Sequence, residues 1–127
     1  MADTKRSARV AAQLRQEIAR QVARELGDPR LEGLIVSSVS MTPDLRLARV
    51  FYRLVTAPVA GAQLEAMKKD AATALERATG RLRKAVTARL GLRFAPELRF
   101  AYDEGQEARD RIDELLEEVK RERKGGG

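Results

Sequence analysis

The amino-acid sequence predicts a single α+β domain in which helices cover one face of a three-stranded sheet. A length of 127 residues is typical of one domain. Segments with the helical repeat of apolar residues alternate with segments in which apolar residues recur at every second position. The predicted order is helix, strand, strand, helix, helix, strand, followed by a helical tail. We expect residues 1–104 to form the domain and residues 105–127 to form a charged, partly helical tail with a disordered glycine-rich end.

The first predicted helix covers residues 5–26. Its apolar residues recur every four positions, which places them on one face of a helix. These residues are Val10, Leu14, Ile18 and Val22. We expect the helix to end at residues 27–29, where a glycine, an aspartate and a proline follow one another.

Two strands joined by a short turn are predicted next, at residues 34–41 and 46–55. The first strand is rich in branched and hydroxyl side chains, and the residues that follow it favour a turn. In the second strand apolar and basic side chains alternate, so one face of this antiparallel hairpin is expected to be buried and the other exposed. The buried set is Ala48, Val50, Tyr52 and Leu54, and the opposite set is Arg49, Phe51 and Arg53.

Residues 63–90 return to helical spacing, with a glycine near the middle. Because a glycine inside a helix costs about 1 kcal/mol relative to alanine, we expect a kink or a break there. The prediction is a kinked pair of helices that meet at Ala78, Thr79 and Gly80. A third strand is predicted at residues 93–102, where apolar side chains alternate again.

The composition removes most enzyme chemistries. The chain has no cysteine, which excludes disulfides, thiolate nucleophiles and cysteine-ligated metal centres. It has no histidine either, which excludes histidine-based triads and the common histidine metal sites. We therefore expect no enzyme activity, no cofactor and no metal. No apolar run is long enough for a spanning helix or an export signal, so a cytoplasmic location is expected.

The charge balance indicates a polyanionic partner. The chain has 25 basic and 19 acidic residues, a net charge of +6, and 19 of the basic residues are arginine. Residues 1–102 carry 19 basic and 10 acidic side chains (+9), whereas residues 103–127 carry 6 and 9 (−3). A basic body with an acidic tail suggests a nucleic-acid partner. A soluble protein from an arginine-rich proteome would have the same composition, and charge alone does not separate the two.

The segment at residues 77–93 concentrates this charge, with six basic residues and no acid in 17 positions. On a helix, Arg77, Arg81 and Lys84 fall within about 60° of one another, roughly opposite the apolar stripe. Several cations on one surface release counterions from a nucleic acid, so this face is a candidate phosphate-binding surface. The alternative is a solvated helix face, but no acidic residue at a spacing of four neutralises these cations, which favours binding.

Several short motifs follow one another along the chain. They are Arg9-Val10-Ala11, Asp28-Pro29-Arg30-Leu31, Pro43-Asp44-Leu45-Arg46, Ala78-Thr79-Gly80-Arg81-Leu82-Arg83, Leu92-Arg93, Pro96-Glu97-Leu98, Phe100, Tyr102-Asp103 and Arg111-Ile112. In their collinear order these motifs resemble those of bacterial ribosome-binding factor A. The resemblance extends over nearly the whole chain and is least specific at the C-terminal end.

The resemblance implies a type II KH-like fold, α-β-β-α-α-β, with an Ala-x-Gly kink in place of the GxxG loop that clamps nucleic acid in ordinary KH domains. It implies binding to the free small ribosomal subunit and its rRNA near the decoding region, assistance to late rRNA processing and maturation, and support of growth in the cold. It also implies a ribosome-associated GTPase as release partner, and we expect a monomer. The RNA-binding residues expected on this basis are Arg77, Arg81, Arg83, Lys84, Arg46, Arg49, Arg53, Lys5, Arg6 and Arg9.

Two other classes of function fit the same residues. A general DNA- or RNA-binding architectural protein would explain the charge, although the chain has no evident basic β-arm and no reader motif. A protein-interaction adaptor would use the apolar stripe at residues 112–119, which is predicted to form a short helix. Binding preference distinguishes the three classes of function. An assembly factor would prefer the ribosomal subunit, an architectural protein would bind duplex DNA, and an adaptor would bind neither.

Overall fold

The described residues form one α+β domain with two α-helices and a three-stranded mixed sheet, and the predicted α+β class is confirmed. The computed structural model describes residues 2–55 and 61–105. No helix in these ranges is long and apolar enough to cross a membrane. The elements in chain order are α1 (Ala2–Arg20) with a π-helical continuation (Gln21–Glu25), a 3-10 turn (Pro29–Leu31), β1 (Leu34–Met41), β2 (Leu47–Leu54), α2 (Gly61–Leu90) and β3 (Glu97–Tyr102).

The strands lie in the order β1-β2-β3. The predicted hairpin is confirmed, because β1 and β2 pair antiparallel, with a bulge between Val36 and Ser38. β3 pairs with β2 in parallel, which requires a long crossover, and α2 lies in that crossover. β3 begins at Glu97, four residues later than predicted.

The core lies between the inner face of the sheet and the two helices. Alternation along β2 is as predicted: Ala48, Val50, Tyr52 and Leu54 are buried, whereas the intervening arginines are exposed. The helices contribute five large apolar side chains that are at most 1% exposed, and these are Leu14, Ile18, Leu75, Leu82 and Val86. One face of the sheet is therefore covered. Among the described elements none covers the face that carries Arg49 and Arg53, which we call the open face.

The predicted pair of helices is one helix. α2 runs without interruption from Gly61 to Leu90, so a break at Gly80 is wrong. Leu75 and Leu82 lie on either side of this glycine in sequence and are both buried in the same core. Burying a leucine stabilises by about 1.5–3 kcal/mol, which outweighs the cost of about 1 kcal/mol for the glycine.

The segment that leads into β3 is held against α2 by Arg83. Its Nε donates to the carbonyl oxygen of Pro96 at 2.9 Å, and its Nη2 donates to that of Ala95 at 3.1 Å. The amide of Glu97 donates to the carbonyl oxygen of Arg46 at 2.8 Å, which joins the same segment to the β1–β2 turn. The start of β3 is thus fixed from two sides.

The predicted tail helix at residues 112–119 and the predicted disordered end lie outside the described residues. Residues 106–127 as a whole do so, and the boundary between domain and tail therefore stays a prediction.

We expect Gly80→Ala to raise the free energy of unfolding by about 1 kcal/mol, measured by urea denaturation. Gly80 is exposed, and a Cβ added there would meet no atom within 4 Å. The substitution therefore raises helix propensity without introducing a steric clash.

Gly33→Ala is the matched control. Gly33 has a φ of +80°, and an added Cβ would lie 2.7 Å from the carbonyl oxygen of Val55. This variant should be destabilised. A loss of stability in Gly80→Ala as well would contradict an unstrained, continuous α2.

Arg83→Ala should lower the free energy of unfolding by about 1–2 kcal/mol, because two carbonyl oxygens lose a charged donor. Lys84→Ala is the control, since Lys84 is exposed and pairs with no described carboxylate. Equal urea midpoints for the two variants would show that Arg83 does not hold the start of β3.

Removal of residues 107–127 should change the free energy of unfolding by less than about 1 kcal/mol. The buried apolar side chains of the described chain all lie between Val10 and Leu98, and the partly buried ones that pack against them extend to Tyr102, upstream of the removed segment. A large fall in melting temperature in calorimetry would show instead that the tail completes the core.

Candidate nucleic-acid interface

The outer surface of α2 carries three exposed cations, Arg77, Arg81 and Lys84. They lie opposite the buried stripe that contains Leu75, Leu82 and Val86, as helical periodicity requires. Within residues 2–55 and 61–105, no carboxylate forms an ion pair with any of the three. Because the helix holds them at fixed spacing, they form a positive surface that needs no rearrangement to meet a polyanion. We call these three residues the α2 cation group.

Two members of this group border a small groove between α2 and the end of the first helix. Arg77 and Arg81 line it together with Leu26, Asp28 and Ala78, among others, and its volume is about 150 Å³. Asp28 does not neutralise these arginines by direct contact, since its carboxylate is held by Arg30, with Nη2 2.8 Å from Oδ2.

The pKa of Asp28 is lowered by this arrangement. The side-chain hydrogen bond from Arg30 is the largest cause, and the backbone amide of Arg30 adds to it. The carboxylate therefore keeps its charge at any pH near neutrality, and it stays committed to the 3-10 turn that it caps. The groove keeps an excess of positive charge, two arginines against one paired aspartate.

The predicted kink residues form the part of α2 nearest the cation group. Thr79 Oγ1 donates to the carbonyl oxygen of Leu75 at 2.9 Å, so its polar group is satisfied inside the helix. Ala78 is half-buried, and Gly80 is exposed with open space around it. Gly80 leaves a flat area among the three cations, where the backbone of a ligand can approach the helix closely.

The structure separates Arg83 from the α2 cation group, although the sequence analysis places all four together. Its guanidinium is turned toward the segment before β3, where two carbonyl oxygens occupy Nε and Nη2. Binding RNA through these atoms would require those bonds to open. Arg83 is therefore a positioning residue of the fold, and the expectation that it contacts RNA has no support from this geometry.

The hairpin arginines lie elsewhere. Arg49 and Arg53 project from the open face of the sheet, on the side away from the helices. Arg99 of β3 pairs with Arg49 in the parallel ladder and joins them there. Arg46 lies in the β1–β2 turn, near the exposed ring of Phe94. A single ligand surface cannot include both the open sheet face and the α2 cation group without wrapping around the domain.

The N-terminal cations are also distant from the cation group. Glu17 of α1 forms an ion pair with Arg89 near the end of α2, with 3.7 Å between Nε and Oε1. Arg81 lies about 12 Å back along α2 from this contact, and Arg9 lies about 12 Å back along α1. Leu26, which follows Glu17 in the chain, lies beside Arg81, which precedes Arg89, so the two helices run antiparallel. Arg9 and Arg81 therefore lie on opposite sides of the Glu17–Arg89 contact, and the two distances add. Lys5, Arg6 and Arg9 are exposed but occupy the opposite end.

The predicted set of ten residues therefore divides among several locations, and Arg77, Arg81 and Lys84 are the ones that share the outer surface of α2. The predicted RNA-binding set does not include Phe94 or Arg93, which lie in the segment before β3. The sequence did contain an indication of this cluster, because Phe94 follows an arginine directly and precedes a proline by two positions. The predicted strand at residues 93–102 includes Phe94, whereas β3 begins only at Glu97.

No metal centre is evident in the part of the chain that the structure describes. Residues 2–55 and 61–105 contain no group of three or more carboxylates that could hold an ion. The arrangement offers fixed cations, a flat glycine surface and shallow grooves. These features suit the binding of an extended polyanion.

Comparison with known proteins gives the same family as the motifs. The family model for ribosome-binding factor A matches residues 6–116. Ribosome-binding factor A of Sorangium cellulosum is 45% identical over 116 residues, which cover 91% of this chain and 90% of that protein. The protein of the same name from Syntrophobacter fumaroxidans is 39% identical over 115 residues, which cover 91% of this chain and 94% of that protein.

Solved structures agree. The crystal structure of ribosome-binding factor A from Thermus thermophilus has a TM-score of 0.62 at 29% identity, covering 76% of this chain and 94% of that one. A Thermus thermophilus homology model fitted into a cryo-EM map of a 30S complex with the factor has a TM-score of 0.54 at 31% identity, covering 72% and 88%. With the fold, the collinear motifs and the family match in agreement, this chain belongs to the ribosome-binding factor A family.

Proposed function

We propose that this protein binds the free small ribosomal subunit near the decoding region and assists late rRNA processing and maturation. The observation that carries the proposal is the α2 cation group. Three cations without a described carboxylate partner are fixed on one helix surface around an exposed glycine. Such a surface gains free energy from a phosphate backbone by releasing its counterions.

Family membership makes the small subunit the relevant polyanion. The Thermus thermophilus relative was fitted into the map of a complex with the 30S particle. The fold shared with that relative supports the same binding partner for this chain. The basic surface is the part of the domain that such a partner would engage.

The proposed mechanism is conformational and involves no bond made or broken by the protein. Binding free energy gained with one arrangement of the rRNA raises the population of that arrangement. RNA rearrangements cross their barriers more slowly as the temperature falls, so the same effect would support growth in the cold. The protein acts as a monomer in this proposal, in the cytoplasm, and a ribosome-associated GTPase would release it.

A general nucleic-acid-binding protein without preference for the ribosome is the alternative. The spread of arginines over the open sheet face and over α1 favours it, because scattered charge binds any polyanion. The compact group on α2 argues for a defined site. Comparison of ribosomal and non-ribosomal ligands decides between the two.

The double variant Arg81→Glu/Lys84→Glu should bind free small subunits at least about tenfold more weakly at physiological salt. The slope of log K against log salt should fall in magnitude by about 2, one for each lost phosphate contact. Melting temperature should hardly change, since both side chains are exposed. Co-sedimentation over a salt series measures the affinity and the slope.

Arg24→Glu/Lys69→Glu is the matched control, with the same change in net charge at two exposed cations outside the α2 cation group. It should retain most of the affinity. Equal losses in the two double variants would favour general electrostatic attraction, and an unchanged affinity in Arg81→Glu/Lys84→Glu would refute the proposed surface. Wild-type protein that binds duplex DNA and joined ribosomes as well as free small subunits would support the alternative function.

A further inference from the structure

Phe94 is exposed in a chain that buries its other aromatic rings wholly or in part. The chain has three phenylalanines, two tyrosines and no tryptophan, and all five aromatic residues lie in the described ranges. Tyr52 is buried, and Phe51, Phe100 and Tyr102 are half-buried. Phe94 is 60% exposed. Its ring thus adds little to the core and is available to a ligand.

Two arginines flank this ring. The guanidinium carbon of Arg46 lies 5.4 Å from the ring centroid, and that of Arg93 lies 5.9 Å from it. Both distances are within the range of a cation–π contact. Arg46 comes from the β1–β2 turn and Arg93 from the segment before β3, so the fold itself brings the three side chains together.

The backbone beneath the ring is fixed before any ligand arrives. Arg83 holds the carbonyl oxygens of Ala95 and Pro96, and Pro96 is fully buried. The amide of Glu97 is bonded to the carbonyl oxygen of Arg46. An exposed ring on such a support loses little conformational freedom on binding, which favours affinity.

A groove extends from the α2 cation group to Ala95, the residue that follows Phe94 in sequence. It has a volume of about 700 Å³ and runs between α2 and the segment before β3. Gly80 and Lys84 line it on the helix side, and Leu92 and Ala95 line it on the other side, next to Phe94. The groove therefore has Lys84 on its helix wall, near Arg83, and its other wall includes the residue next to Phe94 in sequence.

We propose that Phe94, Arg46 and Arg93 form a stacking site for one unpaired rRNA base, with the adjoining phosphate in the groove beside Lys84. This inference rests on the proposed function and extends it to a second contact. Single-stranded RNA is bound in this way, by stacking bases on aromatic side chains or arginine planes while basic groups hold the backbone. Paired bases within a helix do not offer a free ring face, so the ligand is an unpaired nucleotide.

The chemistry of the cluster favours RNA over a protein partner. The residues from Gly91 to Pro96 include no acid, and Glu97 is paired with Arg99, with 3.2 Å between Nε and Oε1. A protein surface would require only an apolar contact at Phe94. The two arginines beside the ring and Lys84 in the adjoining groove favour a ligand with a negative charge. A nucleotide supplies both a base to stack and a phosphate to pair with these cations.

Phe94→Ala should weaken binding to free small subunits by roughly 5- to 100-fold, as expected for loss of one stacked base. Phe94→Leu keeps an apolar side chain without the ring and should lose as much, whereas Phe94→Tyr should bind like the wild type. Val55→Ala, at a side chain that is 55% exposed at the end of β2, is the control for loss of exposed apolar surface. Co-sedimentation at constant salt gives the affinities, and circular dichroism checks the fold.

Phe94→Trp supplies a direct readout, because the chain has no other tryptophan. We expect single-stranded oligoadenylate to quench its fluorescence. An abasic ribose-phosphate oligomer of equal length and charge should not, because it binds the same cations without a base to stack.

Each outcome bears on a different claim. Full subunit binding by Phe94→Ala or Phe94→Leu would overturn the stacking site and leave the proposed function intact, and equal quenching by both oligomers would overturn it too. If the wild-type protein fails to bind small subunits while oligoadenylate still quenches, the stacking site stands and its assignment to rRNA falls. Loss of subunit binding in both variants, together with base-dependent quenching, supports the inference.

Discussion

The packing of α2 across the inner face of the sheet is the constraint on which the rest of the structure depends. β3 must lie parallel to β2, so the chain has to cross from one end of the sheet to the other, and α2 lies in that crossover. Leu75, Leu82 and Val86 are then buried against the sheet. The remaining surface of the helix faces outward, and the cations at its middle become exposed because the apolar stripe is fixed inward.

Much of the fold could be predicted because its apolar periodicity is clear. The alternation in β2 identifies the buried side chains correctly, and the four-residue repeat in α1 does the same. Predictions failed where tertiary contacts outweigh a local preference. Gly80 does not break α2, since the leucines on both sides are held by one core. β3 starts at Glu97, because the residues before it bond to Arg83 and not to β2.

The site was harder to predict than the fold, because a charge count does not assign side chains to surfaces. Arg81 and Arg83 are two residues apart, yet one borders the groove beside Leu26 and the other holds two carbonyl oxygens near β3. On a helix this spacing corresponds to about 200° of rotation. The tertiary neighbours decide which face binds a ligand and which supports the fold. Phe94 and Arg46 are distant in sequence, and only the folded chain brings them into contact.

Gly80 is the position at which stability and ligand binding make opposite demands. Folding does not require a glycine there: the φ angle is not positive, a Cβ would meet nothing within 4 Å, and the helix continues through it. Elsewhere in the chain a glycine is required by the fold, since Gly33 combines positive φ with close contact to Val55. A residue that costs helix stability without a steric reason inside the domain points to a reason outside it. Gly80 lies among three exposed cations and lines the groove that reaches Ala95, so under the proposed function this reason is the close approach of an RNA backbone.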